Sequence, residues 1–147
     1  MGSEMCIRDS GIRDPGNMGT ILRIADWFGL DYLFTSLDAA DIYHPKVIQS
    51  SMGAFLRVPS ARLEFSALRE MAPQLNTYGM VLEGESLFKQ ALASNGIIVI
   101  GNESKGISPD VKKQIDLAIR IPPGPGGNAE SLNAAVATGI VCAIFRN

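Results

Sequence analysis

Short apolar runs punctuate the chain, and between them lie longer stretches whose apolar positions recur at helical spacing. The runs at 32–36 (YLFTS), 55–58 (FLRV), 78–82 (YGMVL), 97–100 (IIVI) and 117–121 (LAIRI) predict strands. The stretches at 17–28, 45–52, 64–72, 86–93, 109–114 and 131–146 predict helices. Regular alternation of the two is the signal of βαβ units and a parallel α/β sheet with helices on both faces. Turn chemistry marks several ends. Asn17 reads as the N-cap of the first helix and Gly29 as its stop. Ser108 caps a short helix opened by Pro109, Ser86 and Ser131 cap two others, and "SSMG" (50–53) closes one with glycine.

The last helix departs from this amphipathic pattern. Leu132, Val136, Ala137, Ile140, Val141, Ala143, Ile144 and Phe145 leave it little polar face, so it is expected to be buried on more than one side. The sheet supplies one cover, and a second copy of the chain supplies the other. The expectation is a homodimer through the 131–146 helix, with the first helix close by. Gly139 costs about 1 kcal/mol in a helix interior relative to alanine, which predicts a close backbone approach there.

Composition narrows the picture. A chain of 147 residues, 46% of them apolar, supports one sizeable core. Its apolar runs fall far short of the ~20 residues that cross a bilayer, and no secretory leader opens it. The expectation is a cytoplasmic protein with no membrane partner. Cys6 and Cys142 are too few and too far apart for a disulfide framework or a metal site, so no metal is expected. The net charge of −2 opposes broad nucleic-acid binding. An RNA surface would have to be local, built from Arg13, Arg23, Lys46, Arg57, Lys105, Lys112 and Lys113.

Three stretches put polar residues where a fold prefers apolar ones: "DPGNMGTILRIADWFG" (14–29), "IVIGNESKGIS" (98–108) and "IRIPPGPGGNAESLNAAVATGI" (119–140). In the first, turn chemistry accounts for Pro15 and Gly16 and in part for Asn17, but not for Arg23 among Ile21, Leu22, Ile24, Ala25, Trp27 and Phe28. In the second, a glycine-rich loop ends a strand, where parallel sheets bind ligands. Gly101 to Gly106 has phosphate-loop spacing, but Ile107 and Ser108 follow where that loop needs Lys and Ser/Thr, so a nucleotide-triphosphate site is excluded. Glu103 reads equally as a reactive carboxylate or as a cap for backbone N–H groups. In the third, Ser131 is explained by capping, whereas Asn133 on an apolar helix is not.

In this order and spacing the three stretches resemble the signature motifs of the SpoU/TrmH family, within the SPOUT class of methyltransferases. The resemblance runs from Gly11 almost to the end of the chain. It implies a Rossmann-like fold with a C-terminal trefoil knot, in which 122–146 threads through 101–110. It implies methyl transfer from S-adenosylmethionine to a ribose 2′-hydroxyl of tRNA or rRNA. The matching catalytic residues are Arg23, Asn17, Glu103, Ser131 and Asn133. The cofactor-binding positions are Leu82, Glu83, Gly84, Gly101, Asn102, Gly106, Ile121, Pro122, Ser131 and Leu132. A guanidinium is a poor general base, so the role expected of Arg23 is to hold a phosphate and stabilise developing alkoxide charge.

The chain departs from the family at Pro123 and Asn128 in the third loop, and at its opening. Where the family has an apolar first strand, "MGSEMCIRDS" places Arg8, Asp9 and Ser10. Residues 1–10 therefore read as a non-native or truncated start, and 11–147 as the methyltransferase domain without an upstream RNA-binding domain. Two rival readings are a SPOUT enzyme acting on a base and a non-catalytic RNA-binding or scaffold dimer.

Overall fold

The computed structural model describes residues 4–146. Six strands form one parallel sheet: β1 (Met5–Ser10), β2 (Tyr32–Thr35), β3 (Ser60–Arg62), β4 (Thr77–Ser86), β5 (Gly96–Gly101) and β6 (Leu117–Arg120). Their order across the sheet is β3-β2-β1-β5-β4-β6, and every paired neighbour runs parallel. Five helices connect them: α1 (Pro15–Trp27), α2 (Pro45–Ser51), α3 (Phe65–Met71), α4 (Pro109–Lys112) and α5 (Ala134–Phe145).

The two-residue period of the central strands separates the two faces. Met5 and Ile7 of β1, with Ile98 and Ile100 of β5, join a cluster that includes Met18, Ile21, Leu22, Val47 and Val141 from α1, α2 and α5. Cys6, Ile97 and Val99 face the opposite way, against Phe65, Leu68 and Val111 of α3 and α4. Burial pushes both cysteine thiols, Cys6 and Cys142, up to about 12, so they are inert at neutral pH.

Helix α1 buries Met18, Ile21, Leu22 and Ala25, the one-face spacing of a helix against a sheet. It packs between α2 and α5. Gly19 permits the α1–α2 approach: a Cβ there would stand 1.8 Å from Ser50 Oγ and 2.6 Å from the Val47 carbonyl oxygen.

Several predicted elements move. The expected strand at 55–58 is a 3-10 turn, Ala54–Leu56, and the strand forms at Ser60–Arg62. The expected helix at 86–93 is a 3-10 turn, Leu87–Lys89, because β4 continues to Ser86. The α1 cap is Asp14, whose carboxylate accepts from Asn17 N at 2.8 Å, with Pro15 at the first helical position. Asn17 is thus freed from capping. The α5 cap is Asn133, not Ser131.

The largest departure is β1 itself. Arg8, Asp9 and Ser10 lie in a central strand, all buried, where the sequence pattern left no strand. Arg8 crosses the face of Phe65 at 5.5 Å and donates to the carbonyls of Asp9 and Leu63. Its Nε finds no partner. Asp9 is held by Ile12 N, Ser36 N and the Ser36 hydroxyl. Burial lowers the affinity of Arg8 for its proton and raises that of Asp9. Both shifts signal charges under strain in a sheet interior. Arg8→Met removes the cation beside buried Asp9 and the donors to two carbonyls, so it should lower the thermal midpoint by about 2–4 °C, equivalent to roughly 1 kcal/mol. A higher midpoint would show that burying the guanidinium costs more than its contacts return.

Candidate functional site

The outer half of β4 and the loops that leave the C-terminal ends of β5 and β6 meet the start of α5 around a cavity of about 380 Å³. This is the edge at which open parallel sheets bind ligands, and the volume suits a small molecule. β4 supplies one wall through an irregularity. It pairs Met80 with Ile119, then Glu85 with Ile119 again, so the residues between bulge away from β6. That bulge carries Leu82 and Glu83 to the cavity. Gly84 lets the strand return: a Cβ would lie 2.7 Å from the Ile119 carbonyl carbon. Gly84 thus shapes the site without lining it, and Pro122 does not line it either.

The turn after β5 is closed by Asn102. Its backbone exchanges hydrogen bonds with Gly106 at 2.9 and 3.0 Å. Its side-chain oxygen accepts from Ser104 N, Ser104 Oγ and Lys105 N, and its amide donates to the Gly11 carbonyl at 2.6 Å. Asn102 lines the cavity, but its amide is spent on holding the turn and locking it to the exit of β1. Gly106 adopts a φ of +72°. Gly101 is pressed against it, so that a Cβ would stand 2.4 Å from the Gly106 carbonyl carbon.

At the rim, a chain of hydrogen bonds joins all three polar motifs. Glu103 Oε1 accepts from Asp14 N at 3.2 Å and from the Asn17 amide at 3.4 Å. Asn17 Oδ1 accepts from the Asn133 amide at 3.0 Å. Asn133 Oδ1 in turn caps α5, accepting from Ala135 N and Val136 N. Asn133 must therefore both accept and donate, which a carboxylate at that position could not do. This answers the polar residue that the apolar helix left unexplained. Ser131 faces the cavity, free of the capping role expected of it.

Gly101, Asn102, Glu103, Gly106, Ile121, Ser131, Leu132, Leu82 and Glu83 all line the cavity. Asn17 and Asn133 reach it through Glu103. Arg23 does not: it is exposed on the far side of α1 and makes no hydrogen bond or ion pair among the described residues. Sequence reasoning missed Met80, Ile100, Ala134 and Ala137, which extend the apolar wall, and Arg120 and Glu130, which add charge; Lys112, expected on an RNA surface, also lines the cavity. Lys112 pairs with Glu83 at 2.5 Å across the mouth. That hydrogen bond holds the Glu83 carboxyl below the usual carboxylate range. No sequence signal links Lys112 to Glu83, because their pairing depends on how α4 and the β4 bulge are stacked.

A second hollow of about 500 Å³ shares Asn102, Lys105, Gly106 and Ile107 as its wall but contains none of Asn17, Ser131 or Asn133. Though larger, it lies away from the convergence of the motifs. Among the described residues no cluster of three or more His, Cys, Asp or Glu could hold a metal ion, and no helix is long and apolar enough to cross a membrane.

Because Gly101 has no room for a methyl group, Gly101→Ala should lower unfolding free energy by about 1–3 kcal/mol, read by thermal melting. An unchanged melt would show that the turn yields and that its closure is not a structural constraint.

Comparison with known proteins agrees with this geometry. Residues 5–143 match the SpoU rRNA Methylase family. The chain is 32% identical over 133 residues to the 23S rRNA (guanosine(2553)-2′-O)-methyltransferase RlmP of Bacillus subtilis, covering 88% of this chain and 53% of that protein. A TrmH-family protein from Porphyromonas gingivalis superimposes with a TM-score of 0.90 at 40% identity, over 97% of this chain and 59% of the other. The SpoU methyltransferase AviRb of Streptomyces viridochromogenes, in complex with the cofactor AdoMet, gives a TM-score of 0.90 at 27% identity, over 98% and 60%. The chain spans about half the length of the curated relatives it matches. With the match covering nearly all of its length, three motifs in order and a common fold, the chain belongs to the SpoU rRNA Methylase family.

Proposed function

We propose that this chain transfers a methyl group from S-adenosylmethionine to the ribose 2′-hydroxyl of an RNA. The observation that carries the reading is the Glu103–Asn17–Asn133 hydrogen-bond chain at the rim of the 380 Å³ cavity. It draws three separate motifs to one point at the ligand-binding edge of the sheet. The names of the RlmP and AviRb relatives supply the reaction class.

The cavity residues fit the cofactor. Met80, Ile100, Ile121, Leu132, Ala134 and Ala137 offer an apolar slot for adenine. Glu103 and Glu130 complement a sulfonium and an ammonium, while Lys105 and Arg120 complement a carboxylate. When bound, S-adenosylmethionine supplies an electrophilic methyl on a positively charged sulfur. The chain's own work is to orient the ribose and stabilise the oxygen as it loses its proton. Ser131, at the cavity wall, and Asn133, anchored by the α5 N-terminus, are placed to hold ribose hydroxyls.

Arg23 enters this scheme through a second subunit. The α1–α5 face leaves Trp27 83% exposed and Val136 51% exposed. Ile24 meets Gly139 at ordinary contact distance, with room for a Cβ 3.6 Å away. The close approach expected at Gly139 is therefore not made inside the chain, which supports an approach by a partner. A two-fold dimer burying this face covers Trp27 and carries Arg23 toward the partner's cavity, where its planar fork can bind the phosphate next to the reacting ribose. The compartment this reading implies is the cytoplasm, and the substrate class is rRNA or tRNA.

The test of the reaction is labelled-methyl transfer from S-adenosylmethionine to total RNA, with digestion to the modified nucleoside. Label on a 2′-O-methylated nucleoside is expected. Label on a base would overturn ribose chemistry, and cofactor binding without transfer would leave a scaffold.

For Arg23, Arg23→Ala should cost roughly 10²–10³ in rate with S-adenosylmethionine affinity unchanged by calorimetry, and Arg23→Lys should recover little. Mixing Arg23→Ala with Asn133→Ala chains should restore activity, because one site of each mixed dimer is intact. A monomer by sedimentation at micromolar concentration, or no recovery on mixing, would sink the shared site.

A further inference from the structure

The loops leaving β5, β1 and β2 stand side by side at the C-terminal edge, because those strands are neighbours in the order β2-β1-β5. Three exposed cations follow these strands: Lys105, which also lines the cavity, after β5, Arg13 after β1, and Lys46 at the start of α2. Beyond the last of them stands Tyr43, 70% exposed. An aromatic ring so open needs a reason, and the local structure presents it rather than hiding it. Tyr43 N donates to Asp41 Oδ1 at 3.0 Å, His44 N donates to the Asp41 carbonyl, and buried Ile42 pins the turn from beneath. His44 Nδ1 accepts from Lys46 N, capping α2.

Three carboxylates also stand along this edge, each held in a local hydrogen bond. Asp38 accepts from Ser36 and pairs with Arg13 at 3.5 Å, Asp41 holds the Tyr43 turn, and Asp14 caps α1. Lys46 makes no ion pair among the described residues, and it sits in the first turn of α2, where the helix dipole disfavours a cation. Neither Tyr43 nor Lys46 is called for by the fold.

We infer that this edge is the RNA track, and that Tyr43 is a stacking platform for an unpaired nucleotide flanking the methylated one, with Lys46 on its phosphate. The inference rests on the RNA reading above. Sequence-tolerant recognition of unpaired RNA works by stacking bases on aromatic side chains beside a cationic path. The placement suits it. Ala40 N donates to the Ile12 carbonyl at 2.8 Å, which ties the loop that carries Tyr43 to the loop ahead of α1. α1 and α2 then touch at Gly19 and Ser50. Tyr43 is thus a positioning residue, outside the chemistry, that sets which nucleotide comes to rest at the rim.

The experiment measures affinity of the 147-residue chain for a short unstructured RNA of mixed sequence by fluorescence anisotropy. Tyr43→Ala, Tyr43→Phe and Lys46→Gln are compared, with S-adenosylmethionine affinity by calorimetry alongside. Tyr43→Ala should weaken RNA binding about tenfold to a hundredfold. Tyr43→Phe should keep most of it, because the ring is what stacks. Lys46→Gln should lower the salt slope by about one contact. Cofactor affinity should not move in any of them, and in methyl transfer to total RNA the Tyr43→Ala loss should fall on KM for RNA more than on kcat. Wild-type RNA affinity in Tyr43→Ala, or equal loss in Tyr43→Phe, would overturn the platform while leaving the RNA reading standing. Failure of the unaltered chain to bind or methylate any RNA would overturn both.

Discussion

The site depends on one side-chain amide. Asn102 spends its oxygen on three donors within its own turn and its nitrogen on the Gly11 carbonyl. The first set closes the loop after β5 tightly enough that Gly101 has no room for a Cβ. The second fastens that loop to the loop entering α1. Glu103, the next residue, is thereby held where it can accept from Asp14 N and the Asn17 amide. Without this fastening the two polar motifs would sit on neighbouring strands with nothing to fix their separation, and preorganisation of the rim would be lost.

Polar residues at this edge are tolerated because each does two jobs. Asn133 caps a helix and reaches Asn17, and Asp14 caps a second helix while its own N–H meets Glu103. A rim built from capping residues draws its rigidity from helix ends that the fold needs in any case. The same logic is absent in the interior of β1, where Arg8 and Asp9 bring charge into the sheet and satisfy it incompletely. The contrast separates polar residues that the architecture uses from polar residues that it merely accommodates.

Much of this was legible in the sequence. Alternating apolar runs gave the parallel α/β class, and β2 and the start of β5 fell within a residue of expectation. The site residues expected from the motifs supply nine of the twenty that line the cavity. What failed did so for physical reasons. β1 was invisible because Arg8, Asp9 and Ser10 break the apolar run that marks a buried strand. The extension of β4 through 83–86 was read as a turn ahead of a helix because a bulge disguises a strand's period. The Ser108 cap was placed correctly, but two others were misplaced by two or three residues, since Asp14 and Asn17, or Ser131 and Asn133, are equally good capping types and only geometry selects between them. Arg23 was singled out because its neighbours on the helix are apolar, but the structure leaves it exposed, where a charge needs no partner. No pattern, however, could place it on the open side of α1, because helix rotation is set by packing against the sheet.

One consequence follows from how far apart the rim residues lie along the chain. Asn17 and Asn133 are separated by 116 positions, and the helix that Asn133 caps is the last element of the fold. During synthesis the sheet can gather strand by strand, yet the rim stays open until the final helix has left the ribosomal tunnel and docked. A nascent chain that ends before α5 lacks Asn133 at the rim and, with it, Ala135, Val141, Cys142 and Phe145 of the core. Core and rim are therefore completed by the same docking step, and neither is finished without the other.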